Sequence, residues 1–280
     1  MTRSTLLLHL DDTPACTQRI EVTFKIAHRF HSHVTGLAAS GSVPLAAVAS
    51  PGGMGIDVLG PALVELEISA QKRASAFRER CAGAGLASFD ALVTEDDDTR
   101  ALLRHARACD LVVMGQADSS QPGSGAARRA VEDVVLQCPR PVLVVPFAGH
   151  FHAVGEKVLV AWDGGRECAR AVGDALPLLR RARHVRLVAC ETPLDVGSES
   201  TRVDLDAMRQ WLHRHGVEVS AEVAWTEIDV GNALLSRAAD HACDLIVMGA
   251  YGHARWAERV LGGVTRTMLS SMTVPVLMSR

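Results

Sequence analysis

The chain repeats itself. Cys-Asp-Leu-Val-Val-Met-Gly at 109–115 returns as Cys-Asp-Leu-Ile-Val-Met-Gly at 243–249, and Pro-Val-Leu at 141–143 returns at 275–277, both offset by 134 residues. Ala-Leu-Leu at 101–103 and 233–235 is a further match, with a two-residue difference in spacing. One offset at two separated points means that a whole segment is present twice in register. A period this long describes two similar domains, since solenoid repeats run at about 20–50 residues. The length of 280 residues agrees with that division. The domains expected are 1–149 and 155–280, with the boundary near Gly149–Gly155, after Val-Leu-Val-Val-Pro.

Within each copy, short apolar runs alternate with helical patterns. In the second, Lys157–Trp162 reads as a buried strand. Cys168, Val172, Ala175, Leu176 and Leu179 then form one helical stripe, with Pro177 as a kink or weak point. Strands follow at Val185–Cys190, Val217–Trp225, Asp244–Met248 and Val274–Met278, and helices at Val203–His215, Asn232–His241 and about 258–271. The first copy has the same order. Its strands are Thr5–Leu10, His33–Ala39 and stretches near 86–93, 110–114 and 141–146; its helices lie near Pro14–His31, 63–83 and 98–107. Continuous Val/Leu/Ile strands separated by helices indicate parallel sheets buried on both faces. The fold expected is α/β: two tandem, doubly wound, five-stranded parallel-sheet domains of the Rossmann-like kind. Asp11 to Gly115 spans 104 residues against 86 from Asp163 to Gly249, and the extra length is placed at Ser40–Pro61 as a surface loop. Val274–Met278 is expected at a sheet edge, open to pairing.

Composition narrows the function. Lys plus Arg is 29 and Asp plus Glu 32, a net charge of −3, which gives no reason to invoke nucleic acid. The seven cysteines form no C-x-x-C pair and point to a reducing compartment rather than a disulfide framework. No stretch reads as a membrane span or a signal-peptide core, so a cytoplasmic location is expected. His28, His31 and His33 straddle a helix-to-strand junction without metal-site spacing, so no metal site is assigned. The run Glu95–Asp98 reads as a turn and helix start, since acids favour helix N-termini. There is no G-x-S-x-G elbow, no Walker loop and no paired general acid and base, so no catalytic residue is assigned.

In open α/β sheets, ligands bind beyond the carboxyl ends of strands, at a switch in strand order. Two loops of the second copy fit that place: Asp163-Gly164-Gly165 after its first strand, and the segment from Gly249 through Gly252, Gly262 and Gly263 to Val264 and Thr265. Glycine lets backbone N–H groups approach an anion, and a helix N-terminus adds about half a positive charge. Such loops also serve tight turns and helix packing, and Asp163 has a second reading as a helix cap.

The spacing G-x2-G-x9-G-G-V-T, preceded by Leu-Ile-Val-Met and followed ten residues later by Pro-Val-Leu, resembles the universal stress protein family. Because both halves match, the whole chain resembles a tandem member whose halves pack as a pseudo-dimer. The resemblance implies a non-catalytic stress-response protein that binds ATP, ADP or AMP, with accompanying Mg²⁺, in its C-terminal domain, and that assembles as a homodimer. It places Ala161, Trp162 and Asp163 on the adenine and ribose side, and Cys190 against the adenine. Met248, Gly249, Gly252, Gly262, Gly263, Val264 and Thr265 are placed around ribose and phosphates. One departure matters: Gly263 stands where nucleotide-binding members carry Ser or Thr. One neutral hydrogen bond is worth about 0.5–1.5 kcal/mol, so the loss weakens binding by up to about tenfold. In the first copy the offset brings Asp118, Arg128, Arg129 and Val131 to the positions of Gly252, Gly262, Gly263 and Thr265, which reads as a lost site. The alternatives are a nucleotide-independent scaffold and a slow ATPase acting through Asp163 or Mg²⁺.

Overall fold

A computed structural model describes residues 4–41, 56–193, 199–252 and 262–280. The chain divides into two compact units, Met1–Val113 and Met114–Arg280. The elements of the first are β1 (Thr5–His9), α1 (Cys16–Phe30), β2 (His33–Ala39), α2 (Ile56–Gly83), β3 (Phe89–Thr94) and α3 (Asp98–His105). Strand β4 (Leu111–Gly115) carries the chain across the division. Strand β1 lies between β2 and β4, and β3 flanks β2, all parallel. The leucines of β1 are buried on both faces, which is why the run carries no polar alternation. Glu95–Asp98 starts a helix as expected: Asp97 caps α3 by accepting from Arg100 N.

The second unit contains α4 (Ser124–Gln137), β5 (Val142–Val145), β6 (Lys157–Ala161), α5 (Arg166–Leu179), β7 (His184–Glu191), α6 (Glu199–Arg214), β8 (Val219–Trp225), α7 (Val230–Asp240), β9 (Leu245–Gly249), α8 (Gly263–Ser271) and β10 (Val276–Ser279). Its parallel strands run in the order β10, β9, β6, β7, β8. Strand order reverses between β6 and β9, and this is the switch point of a doubly wound sheet. Pro177 lies inside α5, and the helix ends at Leu179, two residues on. Proline removes a backbone donor, so a helix that tolerates it near its end loses little.

Strand β10 is not an edge. It pairs parallel with β9 on one side and antiparallel with β5 on the other. In the second pairing Leu277 faces Leu143, its own equivalent in the other repeat. Self-complementary register of this kind is what a two-fold interface produces. The edge expected from local sequence is therefore filled by the matching Pro-Val-Leu strand of the same chain. The extra length of the first copy also differs from expectation: residues 56–61 belong to α2, which has 28 residues against 16 in α6. The rest of the expected loop, 42–55, lies outside the described residues, as does 258–261 of the last helix expected.

The repeated Asp of the Cys-Asp-Leu motif has a structural use in both copies. Asp110 accepts from Thr5 N at 2.8 Å, and Asp244 accepts from the amides of Gly155, Glu156 and Lys157. Each carboxylate clamps the start of the neighbouring strand. His28, His31 and His33 do separate work: His28 is exposed, His31 ends α1 in a left-handed conformation, and His33 meets Ser88 Oγ at 2.8 Å. Among the described residues no three His, Cys, Asp or Glu converge as metal ligands, and no helix is long and apolar enough to cross a membrane.

Candidate functional site

A cleft of about 370 Å³ opens at the switch point of the second unit, beyond the carboxyl ends of β6 and β9. Ala161, Trp162, Asp163, Cys190, Met248, Gly249, Gly252, Gly262, Gly263, Val264 and Thr265 all line it. These residues come from segments far apart in the chain, and the doubly wound topology brings their strand ends together. Cys168, Val188, Thr192, Val230, Leu234 and Tyr251 also line the cleft, although sequence reasoning did not single them out. Tyr251 sits inside the quoted glycine segment and was the one most open to recognition. Val230 and Leu234 reach the cleft from the first turns of α7, which no local motif marks.

One wall is apolar, built by Ala161, Val188, Cys190, Val230 and Leu234. Burial pushes the Cys190 thiol upward in pKa, against the opposing charge of Arg237, and this favours a neutral thiol. Cys168 is buried beneath the cleft with its Sγ 3.4 Å from Ala161 O. Burial, with Asp163 adding to it, pushes that thiol up to about 12. Neither cysteine has the electropositive setting of a nucleophile. Trp162 is half-buried, and its indole N–H is buried with no hydrogen-bond partner among the described residues.

The other wall is backbone. Helix α8 begins at Gly263 behind Gly262, with no side-chain cap from Gly262, and Gly262, Gly263, Val264 and Thr265 of its start line the cleft. Thr265 is buried, and its Oγ1 accepts from Tyr251 N at 3.4 Å, tying the loop after β9 to α8. Asp163 accepts from Gly165 N at 2.8 Å and so shapes the turn into α5. The glycines differ in why they are glycine. A Cβ on Gly249 would stand 2.5 Å from Cys168 N, so that residue is demanded by the packing of β9 on α5. A Cβ on Gly252 would stand 3.1 Å from Asp163 Oδ2 and 3.4 Å from Glu167 Oε2, a tight but polar neighbourhood. On Gly263 it would meet no described atom within 4 Å.

The first repeat is built differently at the topologically equivalent place. His9 ends β1 and Leu10 and Asp11 follow it, where Ala161 ends β6 and Trp162 and Asp163 follow. Asp98, just after the Asp97 cap, corresponds to Val230, just after the Asp229 cap. His9 Nε2 lies 3.0 Å from Asp98, and Arg19, 1% exposed, places Nη2 2.9 Å from Asp11 and donates from Nε to His9 O. Large polar side chains thus stand where the second repeat has small or apolar ones. Arg128 and Arg129 are exposed on α4, and Arg128 pairs with Glu132 at 2.8 Å. Asp118 accepts from Ser120 in a local turn.

A doubly wound sheet with a glycine-lined cleft at its switch point defines a Rossmann-like α/β fold. A sequence profile of the universal stress protein family matches residues 155–280. A universal stress protein of Synechocystis sp. is 27% identical over 176 residues, covering 61% of this chain and 58% of that protein, so the match spans less than two thirds of the relative. Among solved structures, a universal stress protein from Archaeoglobus fulgidus superposes with a TM-score of 0.75 at 16% identity, over 99% of this chain and 96% of its own. A functionally unknown protein from Pseudomonas aeruginosa PAO1 superposes at 0.60 and 15% identity, over 99% and 92%. At these identities the superpositions describe the fold, and they extend it over both repeats. Residues 155–280 thus carry a domain of the universal stress protein family, and the chain as a whole shares the fold of solved universal stress proteins.

Proposed function

We propose that the second repeat binds an adenine nucleotide, ATP, ADP or AMP, in this cleft, and that the protein works in the cytoplasm as a non-catalytic stress-response protein. The observation carrying the reading is the convergence of an apolar wall and the N-terminal turn of α8, which has no side-chain cap among the described residues, on a single cleft. The apolar wall suits a flat base, and Asp163 Oδ2 is a hydrogen-bond acceptor for ribose hydroxyls. The α8 amides, Gly252 and the Thr265 hydroxyl suit phosphate oxygens. Asp163 and Glu167 both approach Gly252, so a phosphate there gains from a divalent cation such as Mg²⁺ between the like charges. Ligand acts by favouring one conformational or assembly state, which requires different affinities for the two states. The first repeat, with its His9–Asp98 and Arg19–Asp11 contacts, serves as a structural partner without ligand. A homodimer would form through surfaces other than β10, both sides of which are taken.

Calorimetric titration of nucleotide-stripped protein with AMP and ATP, with and without Mg²⁺, tests the reading. Saturable binding near one site per chain is expected. Gly252→Arg, which brings a cation to two carboxylates and fills the cleft, is expected to abolish binding and leave the fold intact. No heat at millimolar nucleotide would leave the nucleotide-independent scaffold as the account.

A further inference from the structure

The loop that leaves β9 contains a residue in the wrong backbone conformation for its type. Tyr251 has φ = +66°, in the left-handed region where glycine and asparagine are at ease and a bulky residue is strained. Such a residue persists only where its surroundings hold it. Two contacts do so. Its backbone N–H donates to Thr265 Oγ1, and its phenol O–H donates to Glu132 O, in α4, at 3.0 Å. Tyr251 as a whole is 9% exposed, so the hydroxyl bond is partly shielded from water. A glycine would take this φ without strain but has no hydroxyl to give. The tyrosine therefore joins the cleft loop to a helix of the first repeat.

A second tie runs in the opposite sense. Gln116, the equivalent of Ala250 by the 134-residue offset, is buried. Its Nε2 donates to Leu269 O, in α8, at 3.0 Å, and its Oε1 accepts from Phe147 N at 3.3 Å. The loop after β9 and the helix α8 are the two sides of the backbone wall. Each is fastened to a chain segment of the first repeat.

We propose that Tyr251 is a positioning residue that couples the cleft to α4, so that a nucleotide in the cleft and order in α4 support one another. The coupling rests on the nucleotide reading above; the tie itself does not. Coupling free energy is reciprocal: if a ligand steadies α4 through the tie, loosening the tie weakens the ligand by the same factor. In this view a helix of the first repeat prepares the cleft of the second.

Hydrogen exchange of the full-length protein, wild type and Tyr251→Phe, with and without AMP, tests this. The Phe variant keeps ring and backbone and removes only the hydroxyl. Without ligand it is expected to exchange faster over 124–137 and around 249–252, with β1 and α1 unchanged. AMP is expected to slow exchange of α4 in the wild type and not in the variant, whose affinity falls by about two- to tenfold, the factor for one hydrogen bond. Equal AMP affinity together with equal AMP protection of α4 would overturn the coupling. If the wild type takes up no nucleotide, the nucleotide reading and the coupling fail together, while the ligand-free comparison still decides the tie: equal α4 exchange in the two proteins overturns it, and faster exchange in the variant upholds it. Tyr251→Gly, which relieves the strain and removes the anchor, is a second variant expected to fold and to lose the protection.

Discussion

Gly263→Ser puts back the hydroxyl that nucleotide-binding relatives are expected to carry, at a position where the geometry allows it. A Cβ there meets no described atom within 4 Å, so the substitution brings no overlap from them. Gly263 is the first residue of α8, with backbone φ outside the left-handed region, so serine is not strained. Replacing glycine within a helix gains about 0.5 kcal/mol in helix propensity. The hydroxyl, pointing with the α8 amides toward a phosphate, adds one hydrogen bond of about 0.5–1.5 kcal/mol, or about two- to tenfold tighter binding. Gly263→Ala separates the two effects, since it keeps the backbone gain and lacks the hydroxyl. Titration of all three proteins with AMP and ATP, alongside thermal midpoints, gives the comparison. Serine should bind more tightly than alanine by that factor at similar stability. Equal affinities in the two folded variants would refute the placing of phosphate at the start of α8.

Gly249→Ala should destabilise the protein with or without nucleotide, by about 1–3 kcal/mol, because the new Cβ stands 2.5 Å from the Cys168 amide nitrogen; urea unfolding at unchanged midpoint would contradict it. Trp162→Phe removes a buried donor without a partner among the described residues, so its thermal midpoint should equal or exceed that of the wild type, and a clear fall would mean that the indole N–H is satisfied. Burial raises the Asp11 carboxyl, but the charges of Arg19 and His9 and its hydrogen bonds outweigh it and bring the pKa to about 2 from 3.8. A lowered folded-state pKa stabilises above the unfolded value and is lost as pH falls, so about 2 kcal/mol should disappear between about pH 4 and pH 2. Asp11→Asn should lack that slope and, with Arg19 left buried and unpaired, cost about 3–5 kcal/mol at neutral pH. Acid titrations of stability in the two proteins that run parallel would refute it.

Much of the fold was legible because its signals are local. A buried strand such as Leu245–Gly249 announces itself by continuous apolar residues, and the 134-residue offset carries each element of one repeat onto the other. The resemblance carried by the glycine spacing named residues that the structure brings to one cleft. What it did not separate was motive. Gly249 and Gly263 look alike in the string, yet one is held by the α5 backbone and the other by no described neighbour. The His9–Asp98 and Arg19–Asp11 contacts were illegible for the same reason, since their meaning depends on which strand ends and helix starts meet.

The sequence by itself determined the repeat, the α/β class and the strand and helix succession, because periodicity and glycine spacing act over a few residues. Tertiary structure alone decided that β10 has neighbours on both sides, that polar side chains stand at the first repeat's strand end, and that Tyr251 is held at positive φ by a carbonyl 119 residues away. These are contacts between groups distant in the chain. Their energies depend on close packing and on the pairing of buried polar groups, which a local pattern of residue types does not encode.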